Sequence, residues 1–478
     1  MAGIGVKLDK IYEKNTLITT LSGMSYSTVV TIAPMVIVIG AIFAMMKLLQ
    51  FDKLEYSERE LFSCTVLYIF VFALIATSVL NAVVSRYIAD KIFEDEYGAI
   101  MPCFYFCLVL TLIIGLVPAF VFFVHEYVVG KVDPVFILFS FIGYVALIFV
   151  FHAMQFLNIC KEYEKITLFY LIGMVLGVVS ALLINMMIHH VIYSMLLGVD
   201  IALILVCVLE YAQLIKFFPV NDHQYTKVCG HFKTYWSLII SNTLYILGLY
   251  AHNFVYWTSE MRVVVRESFV CAEPYDMATF LALITNISAS VIFITAVERR
   301  FSGKYRIYVE KLIGGRLDDI ETAKNRMFRQ IGVELLGLVR IQFIISVALF
   351  LIFIVVLPQI GISGFIMQMY PCLAAGYFIL FLMYGGMVFL YYYNDLLGAI
   401  LTSATFLVTE LVVTLIVRNY TNVWYGLGVV LGSSLGFVIC YIRLRWVERN
   451  IDRHIFCEGN IKPYGKGQKP GNRVYIKS

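Results

Sequence analysis

Residues 135–158 read VFILFSFIGYVALIFVFHAMQFLN, without one Lys, Arg, Asp or Glu. As an α-helix this stretch reaches about 36 Å, enough to cross a hydrocarbon core of about 30 Å. Its polar positions, Ser140, His152, Gln155 and Asn158, do not alternate with apolar ones, as barrel strands facing lipid and lumen would require. A helix keeps every backbone hydrogen bond inside the segment, the condition for life in lipid.

Similar runs recur. The chain predicts twelve helices at 23–49, 61–85, 101–124, 135–158, 166–188, 191–214, 234–257, 277–297, 341–357, 369–393, 396–417 and 423–442. Composition agrees: 61% of residues are hydrophobic, 14% are charged and mean hydropathy is +0.86. A soluble domain carries about 25% charged residues. The expected fold class is an all-α integral membrane protein. Its twelve transmembrane helices would form two six-helix bundles.

An even number of spans places both termini on one side. With that side cytoplasmic, only Lys47, Lys53, Arg59, Lys131, Arg262, Arg266 and Arg418 fall outside, leaving 29 of the 36 Lys and Arg inside. This asymmetry predicts cytoplasmic termini. The net charge of +4 means little beyond it and does not suggest nucleic acid. The first twenty residues are amphipathic, not an h-region with a cleavage site, so the first span is expected to act as the insertion signal. The ten cysteines form no CxxC and no zinc spacing, so neither a metal site, a cofactor nor a structural disulfide is expected.

The polar stretch from Phe218 divides the chain. The expected parts are a first bundle at 1–217, a cytoplasmic linker at 218–233, a second bundle at 234–457 and a disordered cytoplasmic tail at 458–478. A weak internal echo supports two halves: Arg86 to Phe93 and Glu298 to Tyr305 both leave a span on a basic, aromatic stretch. Parallel halves are a known transporter plan. Within the insertion at 298–340, Ile320, Ala323, Met327, Ile331 and Leu335 recur at helical spacing. They predict an amphipathic helix lying on the inner interface.

Ionisable groups inside hydrocarbon cost roughly 2.5–3.5 kcal/mol on insertion scales, so each asks for a reason. Glu410 sits mid-span with Ser403 and Thr414 on its face. It reads either as a cavity-lining or ion-coupling carboxylate or as a neutral Glu bonded to a neighbouring helix. Asp200 carries the same two readings, whereas Glu210 is expected to snorkel and pair with Lys216. Asn81, His152, Asn185 and Asn286 read more readily as interhelical hydrogen bonds than as ligand groups. The seventh span holds Asn242, Tyr245, Tyr250, His252, Asn253, Tyr256 and Trp257. Rings beside amide and imidazole groups suit sugar faces and hydroxyls. An interfacial aromatic belt explains Tyr256 and Trp257 but not the deeper Tyr245 and Asn242.

The opening Met1 to Lys10, MAGIGVKLDK, resembles the start of the PelG family of exopolysaccharide transporters. Further stretches are similar: Arg86 to Lys91; Leu247 to Tyr250 with Phe254 to Trp257; Tyr275-Asp276 with Phe280 to Ala282, then Glu298, Phe301, Tyr305, Arg306 and Tyr308; and Leu390 to Asp395 with Phe406 to Thr409. The likeness spans nearly the whole chain. It departs at His252-Asn253, where such proteins usually carry an Asp-Lys pair, which argues against a fixed ion pair there.

The resemblance implies the multidrug, oligosaccharidyl-lipid and polysaccharide exporter plan, with a central cavity opening alternately to each side. It implies as substrate a partly deacetylated, amino-sugar-rich polysaccharide. It also implies a cytosolic glycosyltransferase and Pel-type membrane regulatory subunits as partners. The expected path enters past Arg86, Asp90 and Glu298. It crosses Asn242, Tyr245, His252, Asn253, Asn286 and Glu410, and leaves past Asp276. A lipid-linked oligosaccharide flippase or cation-coupled antiporter of the same fold stays open. An embedded glycosyltransferase does not fit, because external loops are short and carry no DxD. A bare scaffold would have no use for the buried polar residues.

Overall fold

Apolar runs become helices here because lipid leaves the backbone no other partner. The computed structural model describes residues 17–160, 162–266, 269–296, 301–359, 364–420 and 422–457. The expected first span opens in α1 (Leu17–Leu48), followed by α2 (Tyr56–Ser78), α3 (Asn81–Phe93), α4 (Ile100–Val128), α5 (Pro134–Ile159), α6 (Tyr163–Ile188) and α7 (Val191–Phe217). A short helix α8 (Tyr225–Thr234) leads to α9 (Trp236–Tyr256). An antiparallel hairpin follows, β1 (Val263–Val265) and β2 (Phe269–Cys271), with Val264 opposite Val270. The chain continues through α10 (Glu273–Ala296), α11 (Ser302–Gly314), α12 (Leu317–Gln359), α13 (Gly364–Tyr392), α14 (Leu396–Val417) and α15 (Leu427–Cys457).

Ten of these segments among the described residues are long and apolar enough to cross a membrane. With α1 and α10 they make the expected twelve crossing elements, α2 and α3 together forming one. Val109, Ile113, Val117, Phe120 and Val121 on α4 are exposed, as a lipid-facing surface should be.

The same helix pairings occur in each half. In the first, α1 packs on α6, α2 on α4 and α5, α5 on α4 and α7, and α6 on α7. In the second, α9 packs on α14, α10 on α12 and α13, α13 on α12 and α15, and α14 on α15. The halves meet along α1 with α10, α3 with α9, and α2 with both α9 and the hairpin. The internal repeat, faint in the sequence, is therefore explicit in three dimensions.

Small residues draw the last two helices of each half together. A Cβ on Gly177 of α6 would lie 2.6 Å from Ala202 Cβ and 2.7 Å from the Gly198 carbonyl of α7. A Cβ on Gly432 of α15 would lie 2.8 Å from Glu410 Cβ and 3.0 Å from the Phe406 carbonyl of α14.

Three expectations change. The second span breaks at Val79-Leu80, between α2 and α3. The insertion's predicted amphipathic helix is not a separate element: residues 317–340 continue without a break into the ninth span, making one 43-residue helix. Its stripe of Ala323, Met327 and Ile331 is buried against Phe301, Tyr308 and Tyr393, not against lipid. At 1.5 Å per residue α12 reaches about 65 Å, so about half must project beyond the hydrocarbon. Finally, Glu210 does not snorkel to Lys216. It continues the buried stripe of Val199, Leu203 and Val206, and six residues of helix turn Lys216 about 240° away. The expected tail at 458–478 lies outside the described residues.

Candidate functional site: a polar seam along α9

The sequence-named side chains of α9 are buried, apart from the half-buried Tyr250, but they serve different neighbours. Asn242 reaches across to the first half, where its Nδ2 donates to the Ser78 carbonyl at the end of α2. That carbonyl precedes the α2–α3 break, so the latch occupies an acceptor near the helix end. One position back, Ser241 meets Tyr391 Oη of α13 at 2.8 Å and Ser403 Oγ of α14 at 3.4 Å. Tyr245 stacks on Tyr384, with ring centroids 5.1 Å apart.

A second layer surrounds His252. Its Nδ1 lies 2.8 Å from Tyr275 Oη of α10, and its Nε2 lies 3.0 Å from Tyr377 Oη of α13. The His252 backbone N–H donates to Glu410 Oε1 at 2.9 Å. Glu410 Oε2 and Thr414 Oγ1 are buried without a hydrogen-bond partner among the described residues. The carboxylate thus has one oxygen engaged and one in reserve. The His252 imidazole is held between two tyrosine hydroxyls, whereas Asn253 turns to a carboxylate.

A third layer holds Asp276. Its oxygens accept from Asn253 Nδ2 at 2.7 Å, Trp257 Nε1 at 3.0 Å and the Ala272 backbone N–H at 3.0 Å. Asp276 also lines a cavity of about 270 Å³ between α2 and α10, with Glu60, Cys64, Cys271 and Glu273.

Asn286 stands apart from these layers. Its Nδ2 donates to the Ala282 and Ala374 carbonyls, and its Oδ1 accepts from Gln342 and Ser346. It pins α10 to α12 and α13; its partner Ala374 lies one turn from Tyr377, and Tyr275 lies three turns back on α10 itself. His152 likewise makes an interhelical bond, to the Phe104 carbonyl at 3.1 Å. Asp200 backs onto Gly143, with Oδ2 lacking a hydrogen-bond partner among the described residues.

At the basic end, Arg86 pairs with Asp90 one turn on at 3.6 Å and lies 5.0 Å from the centre of the Tyr235 ring. Burial pushes the Tyr305 hydroxyl on α11 above the usual tyrosine range, and nearby Arg86 pulls it back. Glu298, the third residue expected at this mouth, lies outside the described residues.

The sequence matches the family PelG, "Putative exopolysaccharide Exporter (EPS-E)", over residues 1–456. The chain belongs to the PelG family. No curated protein matches the sequence. Among solved structures, this PelG-family chain is similar to a MOP superfamily transporter from Pyrococcus furiosus Vc1. The TM-score is 0.59 at 11% identity, covering 90% of this chain and 96% of that one. It is also similar to the outward-facing conformation of a multidrug resistance MATE family transporter of the MOP superfamily, with TM-score 0.58, 11% identity, and 89% and 96% covered. A MATE in complex with MaD5 gives 0.56 at 12% identity, with 90% and 96% covered. Family and fold together make the PelG-family protein a multi-pass membrane transporter, not an enzyme.

Two groups of the PelG-family chain escaped sequence reasoning. Tyr275, though part of the family-like Tyr275-Asp276 stretch, and Tyr377 are not legible in the sequence as the partners of His252. Cys64 and Cys271 lie 207 positions apart, yet their sulfurs meet at 2.8 Å. Only their shared position near one membrane face could have hinted at it.

The motif Tyr393-Asn394-Asp395 has a structural account. Asn394 takes the left-handed conformation that ends α13, with φ 57°. Asp395 accepts from the Gly398 N–H at the start of α14, and both its oxygens take the Arg443 guanidinium, at 2.6 and 3.0 Å.

Proposed function

We propose that the protein carries an amino-sugar-rich exopolysaccharide across the cytoplasmic membrane, accepting it from a separate cytosolic glycosyltransferase. Pel-type membrane subunits would regulate it. The observation that carries this reading is the PelG match over residues 1–456, joined to a repeated six-helix plan with a polar seam along α9, the helix of the second half that packs on α2 and α3 of the first. Residues 1–217 and 234–457 would move as two bodies, exposing the seam first to one side and then to the other. The predominance of Lys and Arg in the loops of one side supports cytoplasmic termini.

The path would run from Arg86, Asp90 and Glu298 past Asn242, Tyr245, His252, Asn253 and Glu410, with Asn286 behind it, to Asp276 and the cavity. Tyrosine rings would offer sugar faces a sliding surface. The carboxylates of Glu410 and Asp276 would attract amino-sugar cations. The test is secretion from cells carrying Glu410→Gln in place of the native protein. Gln keeps the acceptor for the His252 N–H, so protein level should hold while extracellular polymer falls. Undiminished polymer would remove Glu410 from the path.

The fold likeness to multidrug MATE transporters favours one alternative, a cation-coupled antiporter or lipid-linked oligosaccharide flippase. Transport of drugs or lipid-linked sugars by the purified protein, without a polymerase, would establish it.

A further inference from the structure

Glu60, Cys64 and Tyr68 occupy one face of α2, a turn apart each, and that face meets β2 of the other half. Tyr68 Oη donates to the Val270 carbonyl at 2.7 Å and accepts from the Val270 N–H at 3.0 Å. This fixes the neighbouring Cys271 against α2. The two sulfurs are 2.8 Å apart, closer than the 3.7 Å between Cys103 and Cys107 on successive turns of α4. Both Cys64 and Cys271 are buried, 1% and 4% exposed. A Glu60 carboxylate oxygen and both sulfurs lie within 4.8 Å of one another. They open on the cavity of about 270 Å³, where Glu273 and Asp276 add carboxylates and, among the described residues, no Lys, Arg or His lines the wall.

We propose that this cluster is a binding site for a soft divalent cation of the zinc class, ligated by Cys64, Cys271 and Glu60. Two sulfurs disfavour magnesium and calcium and suit zinc, with Zn–S near 2.3 Å and Zn–O near 2.0–2.2 Å. Around a tetrahedral ion, sulfurs at that bond length sit about 3.7 Å apart, so this pair must open by about 1 Å. Binding breaks two S–H bonds, sends two protons to water and forms two metal–sulfur bonds, with no change of oxidation state. The fourth position faces the cavity, open to water or to Glu273. Because the ligands come from α2 and from the hairpin after α9, the ion joins the two halves. It stabilises the arrangement in which they meet at this end. The site does not depend on which substrate the transporter carries.

The test uses the full-length protein in detergent with a phosphine reductant and Cd²⁺ as probe. One Cd²⁺ per chain should produce the ultraviolet thiolate-to-cadmium band, and Zn²⁺ should compete it away. Cys64→Ser and Cys271→Ser, each checked for monodispersity, should abolish the band. Cys103→Ser should retain it, and Glu60→Gln should weaken binding about tenfold or more. Zn²⁺ should raise the thermal midpoint of the wild type and of Cys103→Ser only. No band in the wild type, or a band surviving both Ser variants, would overturn the site. So would a chain two hydrogens lighter with both thiols blocked, because the pair would then be a disulfide.

Discussion

Replacing Asn242 with Leu removes the amide that holds the Ser78 carbonyl across the seam while nearly conserving volume. The carbonyl belongs to a buried residue at a helix end, and Ser78 is 7% exposed, so water cannot readily replace the lost donor. An orphaned buried acceptor costs about 1–3 kcal/mol. That cost falls on the joined arrangement and not on one where the halves have parted and Ser78 is wetted. The equilibrium between them should therefore shift about 5- to 150-fold towards parting. Hydrogen–deuterium exchange on the reconstituted protein reads this directly. Amides at 79–84 and 238–246 should exchange faster by a comparable factor, with helices remote from the seam unchanged. Thr243→Ala is the control, because Thr243 Oγ1 bonds only its own helix, at the Ile239 carbonyl, 2.7 Å away. Wild-type exchange in Asn242→Leu, or an equal rise in Thr243→Ala, would refute the latch.

Asp395→Asn keeps a good N-cap but takes the charge from a bidentate pair whose carboxylate is 4% exposed, and should cost about 3 kcal/mol. Asp395→Ala loses the cap as well, about 1 kcal/mol more, so thermal midpoints in detergent should fall from wild type through Asn to Ala. Gly432→Leu drives atoms into Glu410 and the Phe406 carbonyl and should destabilise by about 1–3 kcal/mol in a thermal melt. By contrast, Gly332→Ala on α12 meets nothing within 4 Å and should stabilise by about 0.5–1 kcal/mol.

The spans were legible because lipid imposes a length and forbids charge, and 396–417 coincides with Leu396–Val417. The break after Ser78 was not, since Thr77-Ser78-Val79-Leu80-Asn81 contains neither Pro nor Gly, and the partner of its carbonyl lies 164 positions away. Helix α12 was cut in two because polarity changes at about residue 341, although backbone hydrogen bonding does not respond to that change. The polar character of α9 was legible from residue types. Which residue each would touch was not, because Tyr275, Tyr377, Asp276 and Ser78 come from three other helices. Asn286 makes the interhelical hydrogen bonds its lone polar position suggested, all within its own half. Of the two asparagines, Asn242 alone crosses between halves.

That difference bears on how a transporter of this plan can move. Within each half the closing helices meet backbone to side chain at glycines, where a single added methyl already overlaps. Such contacts are lost all at once or not at all. Between halves the described contacts include directional ones of another kind: the Asn242 bond, the Tyr68 clasp on Val270, and the stacks of Tyr68 on Trp257 and Phe72 on Phe254, with centroids 5.1 and 6.0 Å apart. Each hydrogen bond is worth about 0.5–1.5 kcal/mol net and each aromatic pair a similar amount beyond its buried area. These directional terms come to a few kcal/mol beside the apolar packing of α1 on α10 and of the hairpin on α2. Such a seam can hold the joined arrangement and still part under the pull of a substrate, whereas the glycine contacts keep each half a single body while it does so.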